Sequence, residues 1–407
     1  MKSSRLRFCH VRKRSFFGYR KALMNRLRTF FTPERIRYYS PVIVTLVAII
    51  VLIFIPTGFE NKLIYQGTER VSAKVLAVDN SMIIDTGLVR SGDQNCDIEF
   101  LEGQFAGQEY TAVNMLTGSL EIDKIFQPGD TAYVRISHRD GEILSVSMND
   151  HYRLPWEIVL VAIFIAVLIF FAGQTGLRAV LSFILTILLI WKVVVPLYLN
   201  SISPILSGIV IISVLSVLIV SLVYGFDRRA LSSSLGIIIG LAFTAVLGAV
   251  FTRLMNIHGA IMTGSESLLY SGYQDLNLTE IFMAAIFIGS SGAMMDLAVD
   301  ITSAVDEVIH KKPDIKPWEA VKSGLTVGRA AMGTITTTLL LAYSGSCIAQ
   351  LMVFMAQGTP LDCILNYKYI AAEIIHTVAG SFGIVAVAPV TAVAAGLLLT
   401  GKRRDNA

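Results

Sequence analysis

Eight stretches of the chain are apolar over roughly the 20 residues that a helix needs to cross a bilayer. They run Pro41 to Phe59, Pro155 to Gly173, Ala179 to Leu199, Pro204 to Tyr224, Leu231 to Leu254, Ile281 to Val299, Gly333 to Met355 and Glu373 to Leu399. From Glu60 to Arg153 the pattern changes to short alternating runs, such as Val71, Ala73, Val75 and Ala77, or Cys96, Ile98 and Phe100. Turn signals at Ser91-Gly92-Asp93, Pro128-Gly129-Asp130 and Asp140-Gly141 separate these runs. The pattern predicts an all-α polytopic membrane bundle of about eight helices with a small extracytoplasmic β domain. About five short strands suit a barrel of the oligonucleotide/oligosaccharide-binding (OB) kind. The expected divisions are a basic segment 1–40, an anchor 41–59, the β domain 60–153, seven helices over 154–399 and a basic tail 400–407.

Charge sets the expected orientation, because Lys and Arg collect on the cytoplasmic flanks of spans. Met1 to Ser40 holds twelve basic residues against Glu34, and Lys402, Arg403 and Arg404 follow the last span. The connection from Met255 to Thr279 holds no Lys or Arg. Both termini are therefore expected inside. With 54% hydrophobic and 16% charged residues and a mean hydropathy of +0.63, the composition excludes an ordinary soluble protein. The net charge of +4 hides an asymmetry, since Glu60 to Arg153 carries eight basic against fifteen acidic residues. An acidic outer domain makes nucleic acid an unsuitable partner. The basic and aromatic N-terminal segment suits the anionic inner leaflet, with a purely topogenic role as the other reading. Four cysteines without a Cys-x-x-Cys pair give no zinc or redox site. Free thiols are the simpler state for Cys96 and Cys363, and a bridge between them the alternative.

The candidate chemistry lies inside the spans. At helical spacing Asp296, Asp300, Ser303 and Glu307 share one stripe, preceded by the small residues Gly289, Ser290, Ser291, Gly292 and Ala293. Carboxylates at such depth are expected to face protein or water. Arg329 stands at the inner mouth of the next span, near the end of the connection from Ile301 to Ala331, and is a candidate partner for Asp300. That connection is expected to be a surface loop around Pro313 and Pro317 with short helical pieces on either side. Thr334, Thr336, Thr337, Thr338, Tyr343, Ser344 and Ser346 give that span more hydroxyls than bonding to its own carbonyls requires, so some are expected to face the acidic helix. Glu373 and His376 share one face of the last span. Lys192, beside Trp191, either snorkels to the outer interface or forms an ion pair. The chain shows no catalytic constellation, no metal-ligand set and no phosphate-cradling loop, so neither enzyme activity nor a cofactor is expected.

The motifs GAMMD (Gly292 to Asp296), Gly328-Arg329 followed by Met332-Gly333-Thr334, and LAYSG (Leu341 to Gly345), together with the anchor, outer domain and seven further spans, resemble the YibE/F family of multi-spanning bacterial membrane proteins. The outer domain is similar to that of the YibE-type members. Ala330 and Thr337 stand where the family pattern has an acidic residue and an asparagine, and Asp300 is placed to replace the missing acid. The resemblance implies a cytoplasmic membrane location and pairing with a related YibF-type subunit.

The functional expectation is a secondary transporter or permease for a small solute or ion, with Asp296 and Asp300 as cation or proton sites. The alternative is a membrane scaffold or envelope-assembly factor acting through its outer β domain. An intramembrane aspartyl protease is disfavoured because Asp296 and Asp300 sit on one helix.

Overall fold

A computed structural model describes residues 33–60 and 67–404. The basic segment assigned to the inner leaflet, including Cys9, lies for the most part outside the described residues. The chain divides into two compact units, one formed by residues 59–173 and the other by the rest.

The smaller unit holds β1 (Thr68–Asp85), β2 (Arg90–Phe100), β3 (Glu109–Thr117), β4 (Thr131–Arg139) and β5 (Glu142–His151). They close into a barrel in the order β1-β2-β3-β5-β4, with β3 and β5 meeting in parallel at Val113 and Ser147. The OB-like barrel expected from the alternation is therefore present. Period-two burial explains it, since Val71, Ala73 and Val75 of β1 and Cys96, Ile98 and Phe100 of β2 all point inward. Cys96 sits in this core rather than at a surface, and burial pushes its thiol up to about 11. No disulfide joins it to the exposed Cys363, and both are free. One end of the barrel is locked by buried amides. Gln94 donates to the Phe126 carbonyl at 3.0 Å and accepts from Asn114 Nδ2 at 3.1 Å.

The helices are α1 (Pro33–Phe54), α2 (Leu154–Leu189), α3 (Val195–Leu199), α4 (Pro204–Tyr224), α5 (Arg228–Leu254), α6 (Ser265–Tyr270), α7 (Leu278–Lys311), α8 (Pro317–Ser346), α9 (Ile348–Ala356), α10 (Leu361–Asn366) and α11 (Lys368–Arg404). Six helical stretches among the described residues are long and apolar enough to cross a membrane, and Tyr38–Phe54 is a shorter apolar helix. The first of the six, Leu154–Leu199, has 46 residues, or ~69 Å at 1.5 Å per residue, enough for two crossings. It breaks at Gly173, whose φ of 56° and ψ of −125° lie outside helical space and suit a residue without Cβ. That break accounts for the two separate runs in the sequence.

In the larger unit α11 packs against α5, α7 and α8. Its antiparallel contact with α5 is made by small residues facing each other in reciprocal pairs. Gly236 abuts Thr391, Gly240 abuts Val387 and Gly383 abuts Thr244, so the two backbones approach closely. Ser233 Oγ donates to Thr302 Oγ1 at 2.8 Å, tying α5 to α7. The Tyr224 hydroxyl, 2.7 Å from the Val299 carbonyl, ties α4 to α7. Arg178 donates to the Leu222 carbonyl at 2.9 Å and lies 3.9 Å from the centre of the Tyr38 ring, joining α1, α2 and α4.

In the connection from Ile301 to Ala331 the helical pieces are longer and the loop shorter than expected. Helix α7 continues to Lys311 and α8 starts at Pro317, leaving five residues between them. Proline at the first helical position suits that start. The hydropathy pattern misses the first turns of α8 because they are amphipathic, with Val321, Gly324 and Gly328 buried while Lys322, Thr326 and Arg329 are exposed. The helix also ends early, at Ser346, and a turn at Cys347 separates it from α9.

Candidate functional site

The acidic stripe folds as the 3.6-residue period requires, and its surroundings give it meaning. Between Gly289 and Glu307 the exposed residues of α7 are Gly289, Gly292, Asp296, Asp300, Ser303 and Glu307. None is a large hydrophobic. On the other long helices the exposed faces are strongly apolar, with Leu206, Val210 and Val214 on α4, Leu235, Ile239 and Phe243 on α5, and Val378, Phe382 and Val385 on α11. Those side chains suit lipid. The α7 stripe does not, since each charge at the centre of a span costs about 2.5 to 3.5 kcal/mol on insertion scales.

Helix α8 continues the polar face. Lys322, Thr326, Arg329, Gly333, Thr334, Thr337 and Thr338 are exposed, and no large exposed hydrophobic falls between Trp318 and Leu340. A methyl group on Gly328 would meet Ile301 Cδ1 at 3.0 Å, and one on Gly324 would meet Val305 Cγ2 at 2.8 Å. The two helices therefore run antiparallel with Asp300 and Arg329 at the same level. No ion pair joins them among the described residues, which corrects the expected Asp300 to Arg329 bridge.

Of the hydroxyls expected to face the acidic helix, that of Tyr343 does so, whereas the threonines do not. Thr334 bonds the Ala331 carbonyl at 2.9 Å, Thr336 that of Met332 at 2.8 Å, Thr337 that of Gly333 at 2.9 Å and Thr338 that of Thr334 at 2.9 Å. Each satisfies itself on its own helix, so the cluster does not reach across to α7 for hydrogen bonds.

Towards the N-terminal end of α7 the polar face meets an aromatic column. The Tyr343 hydroxyl rests on Gly289, and its ring stands edge-on to His376, centroids 5.4 Å apart. His376 also contacts Phe282 at 4.9 Å. Neither His376 Nδ1 nor Glu373 Oε2 has a hydrogen-bond partner among the described residues. Glu373, Ser344, Cys347 and Thr377 are among the residues around an almost wholly apolar cavity of about 180 Å³. The structure thus brings Tyr343, His376 and Glu373 together at one end of the stripe that carries Asp296 and Asp300. Cys347 and Gly289 belong to this arrangement and were not among the expected site residues, because only the turn after Ser346 and the α7·α8 contact place them there.

Lys192 stands apart from it. Its Nζ donates to the Ile55 carbonyl at 3.2 Å, just beyond the end of α1, so it caps a helix C-terminus, where a cation is favourable. Among the described residues no cluster of His, Cys, Asp and Glu is arranged to hold a metal ion.

A bundle of long apolar helices with one polar, charged face, joined in sequence to a small closed barrel, defines a multi-pass membrane protein. The family described as YibE/F-like protein matches residues 160–401, more than half of the chain, and the protein belongs to that family. No curated protein and no solved structure matches it.

Proposed function

We propose that the protein is a permease-like secondary transporter of a small solute or ion, with Asp296 and Asp300 as cation or proton sites. The observation that carries this reading is the uninterrupted polar face of α7, placed where lipid-facing helices elsewhere in the molecule are apolar. In this reading Tyr343, His376 and Glu373 continue the route beyond Gly289. Coupling comes from an ion gradient, and no enzymatic step is assigned. The protein sits in the cytoplasmic membrane with both termini inside, and its N-terminal segment holds the anionic leaflet. The test is flux in reconstituted vesicles across a panel of cations and small solutes under an imposed proton or sodium gradient. Asp296→Asn abolishes coupled flux while thermal stability stays near that of the parent. Loss of stability without any change in flux across the panel overturns the proposal.

A second reading, a scaffold working through the barrel, is supported by one feature. The β1–β2 turn and the β3–β4 connection enclose a cavity of about 300 Å³ lined by Leu88, Leu116, Leu120 and Ile125 beside Asp85, Arg90 and Asp123. Leu88 and Leu120 are 86% and 82% exposed there.

A further inference from the structure

We infer that the polar face of α7 and α8 is covered by the same face of a second copy of this chain, with Asp300 of each protomer opposite the partner's Arg329. A polar face turned to lipid cannot keep its charges hydrated or paired, so it needs a cover. What that cover is made of follows from the distribution of charge.

The face carries both signs in a repeated arrangement. Asp300 and Glu307 are seven residues apart on α7, and Arg329 and Lys322 are seven apart on α8. Two turns of helix span seven residues, so each pair lies on one face. The packing of Gly328 on Ile301 and of Gly324 on Val305 puts Asp300 level with Arg329, and Glu307 level with Lys322. Neither Asp300, Arg329 nor Lys322 forms an ion pair among the described residues, whereas Glu307 is held only by its own neighbour Lys311 at 3.0 Å.

Two copies inserted in the same sense are related by a two-fold axis along the membrane normal. That operation keeps depth unchanged and lays α7 of one protomer beside α8 of the other. Acid and base at equal depth on antiparallel neighbours are then matched twice, once in each direction. Self-complementarity of this kind is what an isologous interface requires. Close approach is also provided for, since a methyl group on Gly292 or Gly333 would meet nothing within 4 Å in the protomer. These are the small residues on which membrane helices pack. The route proposed above would run between the two copies and be incomplete in one alone. The association can nevertheless be tested without measuring flux, so the two proposals can fail separately.

The test is co-purification of two differently tagged full-length copies from lipid nanodiscs. Asp300→Arg places arginine against arginine, and Arg329→Asp places aspartate against aspartate. Each variant alone is expected to recover the second tag at least about tenfold less than the parent, because like charges in an interface cost several kcal/mol. Co-expressing the Asp300→Arg chain with the Arg329→Asp chain restores both pairs in the heterodimer and returns recovery to near the parental level. A bridge within one chain predicts no such rescue. Should either variant fold poorly, a chain with its four native cysteines replaced by alanine and Gly333→Cys added is treated in membranes with a bifunctional maleimide. A cross-linked homodimer supports the inference. Failure of the charge-swapped pair to recover, or a Gly333→Cys chain that cross-links only to a different protein such as the YibF-type subunit, overturns it.

Discussion

The phenolic oxygen of Tyr343 lies too close to Gly289 to leave room for a β-carbon there. The contact joins α8 to α7 and sets the ring that stands against His376. Gly289→Ala therefore forces the tyrosine aside and is expected to cost about 1 to 3 kcal/mol, as overpacking does. Tyr343→Phe removes the offending atom. A double-mutant cycle followed by thermal melting in detergent should show a favourable coupling between the two substitutions, and additive losses would show that the oxygen is not what the glycine accommodates.

Gly240 makes the same kind of contact in the centre of the bundle, where a methyl group would run into Val387 and come within 3.2 Å of the Gly383 carbonyl. Gly240→Ala should lower stability by about 1 to 3 kcal/mol. Val387→Ala in the same chain should recover part of that loss. Melting of the single and double variants in one detergent is sufficient to compare them, and an unchanged Gly240→Ala protein would mean that α5 and α11 can move apart freely.

The barrel has an acid limit set by its carboxylates. Asp123 accepts backbone N–H bonds from Thr117, Gly118 and Ser119, and these, with the Thr117 hydroxyl, hold its carboxyl below the usual range. Asp150 is lowered chiefly by the hydrogen bond from Arg153, Asp85 by that from Arg90, and Asp79 by the Ser81 N–H. A folded-state pKa below the unfolded one stabilises fully above the unfolded value, about 3.9 for aspartate, and the contribution disappears as pH falls through the folded value. Residues 60–153 expressed alone should fold as a β-rich unit whose melting temperature falls as the pH drops below about 4. Asp123→Asn should melt lower at neutral pH and show a shallower acid decline. Circular dichroism at a series of pH values measures both.

Thiol labelling distinguishes two cysteines that are equivalent by composition. Cys363 is exposed and Cys96 is in the barrel core. With the proposed topology, an impermeant maleimide added outside intact cells should modify Cys363, and Cys96 only after denaturation. Protection of Cys363 from outside combined with labelling from inside would reverse the assigned orientation.

Hydropathy made the membrane helices legible because lipid-facing and core-facing residues of α4, α5 and α11 are alike apolar. Alternation made the barrel legible because its two faces differ. Both signals fail where a long helix has a polar side, as in the first turns of α8 from Pro317 to Arg329. Spacing placed Asp296, Asp300 and Ser303 on one stripe correctly. It could not say what each residue of the stripe meets, such as the Tyr224 hydroxyl of α4, 2.6 Å from Ser303 Oγ, since periodicity fixes which residues share a face and not what that face meets. The Asp300 to Arg329 pairing was misjudged for that reason. Proximity along antiparallel neighbours put the two at one level, while the packing of Ile301 on Gly328 settled which side chains turn inward.

The turn that carries Lys192, Ile190 to Val194, is wound wider than its neighbours, with the Val195 N–H bonded to the Ile190 carbonyl five residues back. Such a turn holds one residue more than the α-helical ladder around it needs. Removing a residue from an ordinary helix twists everything beyond the cut by about 100° and would carry a lipid-facing side inward. Here the loss would tighten the wide turn into a regular one and leave both flanking faces where they were. This span can therefore lose one residue without scrambling the bundle, provided that a cation still reaches the end of α1.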